Sequence, residues 1–136
     1  MIRRTARELV VQSLFQIDFS GCGAEDALNA AVEEQNTKDA IKAQSYAQKA
    51  VNGILAALAD IDAKIKEYSI DWDLERMPGV DRNILRLAVY EIYYAEEKIP
   101  AGIAINEAVE IAKIYGSEDS PRFINGLLGK MVRNDE

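Results

Sequence analysis

At 136 residues, with 49% hydrophobic and 29% charged side chains, the chain is long enough to bury one core and too apolar to be disordered. It has no histidine, which excludes His-based triads, His general bases and most zinc sites, and its formal charge of −7 opposes uniform attraction to phosphate. Its one cysteine, Cys22, cannot form an internal disulfide, no stretch approaches the ~20 apolar residues that span a bilayer, and the amino end runs into an amphipathic pattern rather than a signal core; a cytoplasmic protein with no membrane partner is expected.

The clearest helix is predicted over residues 5–19, where Ala6, Leu9, Val10, Ser13, Leu14 and Ile17 recur as one stripe and Thr5 with Glu8 has the spacing of a capping box. Phe15 points away from that stripe, with Val11 one turn earlier on the adjoining face. Either a second layer of helices covers Phe15, or it is an exposed aromatic anchor for a protein partner. Residues 20–23 form a turn cluster in which Cys22 is expected as an exposed thiol. A short helix follows over residues 24–34, and then one long helix over residues 38–68 whose Asp60, Asp62, Lys64, Lys66 and Glu67 read as a solvated face.

Residues 69–79 read as a linker in which Trp72 is expected to pack at a seam. A helix over residues 80–97 carries a stripe broad enough to touch neighbours on two sides. The break at residues 98–102 leads into a helix with Ile105, Ala108, Val109, Ala112 and Tyr115 on one face and Gly116 as its C-terminal cap. Ser120 before Pro121 has the pattern of an N-cap and first turn, and Ile124, Leu127, Leu128, Met131 and Val132 give the last stripe. Nothing alternates with period two. The expectation is a single all-α domain over residues 1–136, with about three helices before the Trp72 linker and three after it (subdomains of about 1–70 and 71–136) sharing one core.

Catalysis has little to stand on. There is no Gly-rich phosphate loop, no metal-ligand cluster and no nucleophile beside a base, so no cofactor or metal is expected. Arg3, Arg4 and Arg7, less Glu8, give the first ten residues a net +2. Arginine suits phosphate forks and stacking on unpaired bases, though a solvated amino terminus would look the same. Phe123 lies at the rim of the last stripe and Asn125 at its other edge; they either close the core edge or meet a splayed base. Asp119 beside them favours the start of a helix but opposes a phosphate.

Four segments, taken in order and spacing, resemble the NusB family of bacterial transcription antitermination factors. They are Arg3-Arg4-Thr5-Ala6-Arg7-Glu8, Val80-Asp81-Arg82-Asn83-Ile84-Leu85-Arg86-Leu87-Ala88-Val89-Tyr90-Glu91, Ile105-Asn106-Glu107-Ala108-Val109-Glu110-Ile111-Ala112, and Phe123-Ile124-Asn125-Gly126. The likeness covers most of the chain apart from about residues 20–75. It implies two three-helix bundles packed across each other. It also implies binding of single-stranded boxA RNA as a heterodimer with the basic ribosomal protein NusE, within an RNA polymerase antitermination complex. Under it, Arg3, Arg4, Arg7, Asp119, Phe123 and Asn125 are the candidate RNA residues. Val11, Phe15 and Asp81 are candidates for the partner surface, Asp81 serving equally well as an N-cap. Two other readings stay open: a protein-binding helical adaptor that has lost its RNA contacts, or an RNA-binding domain of the ribosomal RNA cytosine methyltransferase type, whose catalytic domain this length would not hold.

Overall fold

A computed structural model describes residues 4–70 and 73–135. Arg3 and Trp72 lie outside the described residues. Seven α-helices follow in order: α1 Arg4–Ser20, α2 Ala24–Gln35, α3 Lys38–Ala56, α4 Leu58–Tyr68, α5 Gly79–Val89, α6 Ala101–Tyr115 and α7 Ser120–Asn134. A 3₁₀ turn, Leu74–Arg76, precedes α5, and a π turn, Tyr90–Tyr94, ends it. No strand occurs among the described residues.

Helices α1, α2 and α3 pack on one another, α5, α6 and α7 form a second group, and α1 crosses onto α5. One continuous core joins the groups, with Leu9, Leu14, Val51 and Ile54 on one side and Ile84, Leu85, Ile111 and Leu128 on the other, all almost fully buried. The chain is thus all-helical, as the stripes imply, with its two helical groups crossed as the family resemblance implies. Helix α5 is its centre. Its apolar residues Ile84, Leu85, Leu87, Ala88 and Val89 are all buried, as are Asp81, Asn83 and Arg86. A helix buried all round needs partners on every side, and α5 meets α1, α4, α6 and α7.

Five local expectations are corrected. Thr5 lies inside α1, which already includes Arg4, so it is not the cap. The single helix over residues 38–68 is two: Thr37 caps α3, its Oγ1 accepting from the Ala40 N–H at 3.0 Å, but the helix stops at Ala57. No glycine or proline marks that break. Packing sets it, because α3 lies on α1 while α4 turns to lie on α5 and α7. The helix from Gly79 ends three residues early, its last turn opening so that the Ala95 N–H donates to the Tyr90 carbonyl at 2.7 Å. That turn sends Tyr90 against α3 at Gly53, where a Cβ would lie 2.7 Å from the tyrosine ring; the close approach explains a glycine inside α3. On α6 Ala108 and Ala112 are buried as expected, but Ala104 and Ile111 complete the stripe in place of Ile105 and Val109, and Tyr115 is exposed.

The fifth concerns charge. Asp62 is not merely solvated. It takes both Nε and Nη2 of Arg86, at 2.8 and 2.9 Å, while Arg86 Nη1 reaches Asp18 of α1 at 2.9 Å. Asp18 also accepts from Arg82 and Asn83, each at 3.1 Å. Three helices from the two halves are therefore tied by one ionic knot at their crossing. Breaking such a knot from one side costs more than the intact knot contributes, since it strands charges taken out of water.

Candidate nucleic-acid and partner surfaces

Among the described residues, the amino-terminal arginines Arg4 and Arg7 do not form an open cationic lip. Arg7 is buried at 2% exposure, correcting its expected outward position on α1. Its Nε lies 3.1 and 3.0 Å from the two oxygens of Glu91 on the π turn, and its Nη1 lies 3.5 Å from Glu107 of α6. Burial pushes the Glu91 carboxyl above its ordinary range, with Arg7's charge and hydrogen bonds pulling it back. Arg4 is exposed, yet its Nε and Nη2 fork onto Glu107 at 3.0 and 2.8 Å. That fork holds the Glu107 carboxyl below the usual range. Arg4 and Arg7 thus face the two carboxylates of Glu107 and Glu91, which offset their charge locally.

The carboxyl-terminal face is different. Phe123 is half-buried on α7, packed on the core edge, and lies between two surface grooves. The first, of about 250 Å³, is lined by Met77, Pro78, Asp81, Ser117, Asp119 and Ser120 together with Phe123. The second, of about 230 Å³, is lined by Tyr68, Ser69, Ile70, Gly126, Leu127 and Lys130 with the same ring. One edge of the Phe123 ring seals the core, and the rest borders open grooves. Asn125 is exposed. Asp119 is exposed at the N-cap position of α7, and its side chain caps nothing.

Ser120, expected as that cap, is instead the first residue of the helix and is buried. Its hydroxyl accepts from the Ser117 N–H at 2.9 Å and donates to Asp81 Oδ1 at 2.7 Å. Asp81 is buried at 4% exposure and sits within the first turn of α5, which begins at Gly79, so it is neither an N-cap nor an open surface carboxylate. Burial pushes its carboxyl up, and the Ser120 bond opposes that. Asp81 thereby ties the start of α5 to the start of α7 and fixes one wall of the first groove.

On α1, Val11 is buried at 3% and belongs to the core, correcting its expected exposure. Phe15 is 38% exposed, one face packed over the Gly79 backbone. It stacks on Phe19, ring centroids 6.3 Å apart and planes 5° apart, and Phe19 is 80% exposed. The pair is an apolar patch on a highly charged surface. Phe19 escaped sequence reasoning although its i+4 spacing from Phe15 placed it on the same face. Arg122 and Lys130 were also missed; both are exposed, and neither has an ion-pair partner among the described residues.

No helix of the described residues is long and apolar enough to cross a membrane. A sequence model of the NusB family matches residues 4–133. The transcription antitermination protein NusB of Pelotomaculum thermopropionicum is 45% identical over 136 residues, 100% of this chain and 92% of that one. Among solved structures, T. maritima NusB superposes with a TM-score of 0.83 at 40% identity, covering 98% of this chain and 92% of that one. A structure of antitermination factors NusB and NusE in complex with dsRNA superposes with a TM-score of 0.82 at 28% identity, covering 98% of this chain and 97% of that NusB-like chain.

Proposed function

This chain belongs to the NusB family, and on that footing we propose that it is a non-catalytic transcription antitermination factor. It binds single-stranded boxA RNA of nascent transcripts as a heterodimer with the ribosomal protein NusE, and the pair acts with RNA polymerase in the cytoplasm to suppress termination. The observation that carries the RNA assignment is Phe123, a partly open aromatic between two grooves at the start of α7. Aromatic faces stack on bases of any sequence, each contributing about 1–3 kcal/mol. Arg122 and Lys130 are exposed cations near Phe123 available to phosphate, with Asn125 within the same α7 turn as Phe123, and Arg4 would join them on release from Glu107. The Phe15–Phe19 patch supports a separate protein-docking face. An acidic body with net charge −7 supports fast encounter with a basic partner through long-range attraction.

The pairing of Arg4 and Arg7 with carboxylates favours a second reading, a helical adaptor that binds the protein partner alone. Titration of fluorescent boxA RNA and a scrambled oligonucleotide, each with and without NusE, separates the two. Preferential binding of boxA by the pair is the expected result. Equal binding of both oligonucleotides removes the RNA assignment, and an adaptor captures NusE while ignoring RNA.

A further inference from the structure

Gly126 lies one turn beyond Phe123 on α7, inside a helix that runs on to Asn134. A Cβ built there meets no atom within 4 Å. Glycine inside a helix is less stable than alanine, because it gives up more backbone freedom on folding. At Gly53 the neighbouring Tyr90 ring requires it. At Gly126 neither turn geometry nor an internal contact does. Its effect is outward: it lines the second groove beside Phe123 without a side chain to fill it.

Four features of that groove suit a nucleotide. Phe123 and Tyr68 supply aromatic walls, and Ile70, 75% exposed, supplies an apolar one. Tyr68 is held in place by its hydroxyl, which accepts from Asn134 Nδ2 at 2.8 Å. The open space of about 230 Å³ leaves room for a flat ring against Phe123. Lys130, at i+7 from Phe123 and i+4 from Gly126, puts an ammonium at the rim. The groove on the other side of the ring instead carries Asp119 and Asp81, so a phosphate is favoured on the Lys130 side.

We propose that the groove between α4 and α7 is a nucleotide subsite: a single RNA strand with one base on Phe123 places the next base between Phe123 and Tyr68–Ile70, with its phosphate at Lys130. This rests on the RNA-binding reading above and extends it to a defined second position.

Two variants test it. Gly126→Leu fills the groove from an open position while improving the helix, so it should melt at or above the temperature of the parent chain and bind boxA RNA about tenfold more weakly. Lys130→Gln should lose about fivefold at 0.1 M salt and make the slope of log K against log[salt] shallower by ~0.7, as expected for one phosphate contact on a single strand. NusE affinity should stay at the parent value in both. Unchanged RNA binding by a stably folded Gly126→Leu, or an unchanged salt slope in Lys130→Gln, overturns the subsite while leaving the RNA-binding reading intact. Loss of NusE binding with RNA binding kept makes the groove a protein contact and also overturns it. If Gly126→Leu does not fold, the Lys130→Gln slope decides alone. A parent chain that binds no RNA, with or without NusE, removes both readings together.

Discussion

Arg4 and Glu107 meet in a two-point fork, Nε on Oε1 and Nη2 on Oε2, across a separation of 103 residues. The guanidinium is 43% exposed and the carboxylate 17%, so the pair sits in water where such contacts contribute at most ~1 kcal/mol. RNA phosphate and Glu107 want the same cation. Glu107→Gln should therefore free Arg4, raise affinity for single-stranded RNA about fivefold at 0.1 M salt, and steepen the salt slope by ~0.7. Affinity that falls, or a slope that does not move, removes Arg4 from the binding surface.

The deeper pair behaves in the opposite way. Arg7→Met leaves the Glu91 carboxylate buried without its charge partner and should cost about 3–5 kcal/mol at pH 7. The Glu91 carboxyl is already held up by burial, and Arg7 is what pulls it back down. Without Arg7 the folded value rises further above the unfolded one. The folded variant then takes up a proton before the unfolded chain does, and stability grows as pH falls through that raised value. The deficit against the parent chain should shrink between pH 7 and pH 5 in urea denaturation. A deficit that stays constant or grows over that range contradicts the assignment.

The way these pairs form explains where sequence reasoning reached. Stripes at helical spacing found α1, α5 and α7, because a buried face repeats every turn whatever packs on it. The break at Ala57 carried no such mark: both sides suit a helix, and only the different partners of α3 and α4 separate them. Arg7 looked like a surface cation because its neutralising carboxylate lies 84 residues away in the chain. Asp81 and Ser120, 39 residues apart, were each read as caps for the same reason. The spacing of Phe123, Gly126 and Lys130 was legible as one helix face, but the emptiness around Gly126 required coordinates.

Asp119 is the local opponent of RNA at the first groove. Its side chain makes no cap bond, so Asp119→Asn loses only the attraction between a carboxylate and the α7 N-terminus, less than about 0.5 kcal/mol. A unit charge ~6 Å from a phosphate in water costs ~0.7 kcal/mol. Its removal should strengthen boxA binding about threefold, with a melting temperature nearly unchanged. Weaker binding in a fluorescence titration would sink this reading of the groove.

Phe15 and Asp81 were grouped as partner contacts, and their surroundings separate them. Phe15→Ala removes a ring that is already 38% exposed, so thermal stability should change little, while NusE affinity falls by about 2 kcal/mol if the ring anchors the partner. Asp81→Ala removes the acceptor of the buried Ser120 hydroxyl and should cost about 1–3 kcal/mol of stability. Ser120→Ala leaves Asp81 as the stranded member and should cost a similar amount. The double variant should then cost less than the sum of the singles, because one lost bond is counted twice. Calorimetry on the three chains measures this directly. Additive losses would mean that Asp81 and Ser120 do not act through each other. An Asp81→Ala chain that melts normally but fails to bind NusE would return that carboxylate to the docking face.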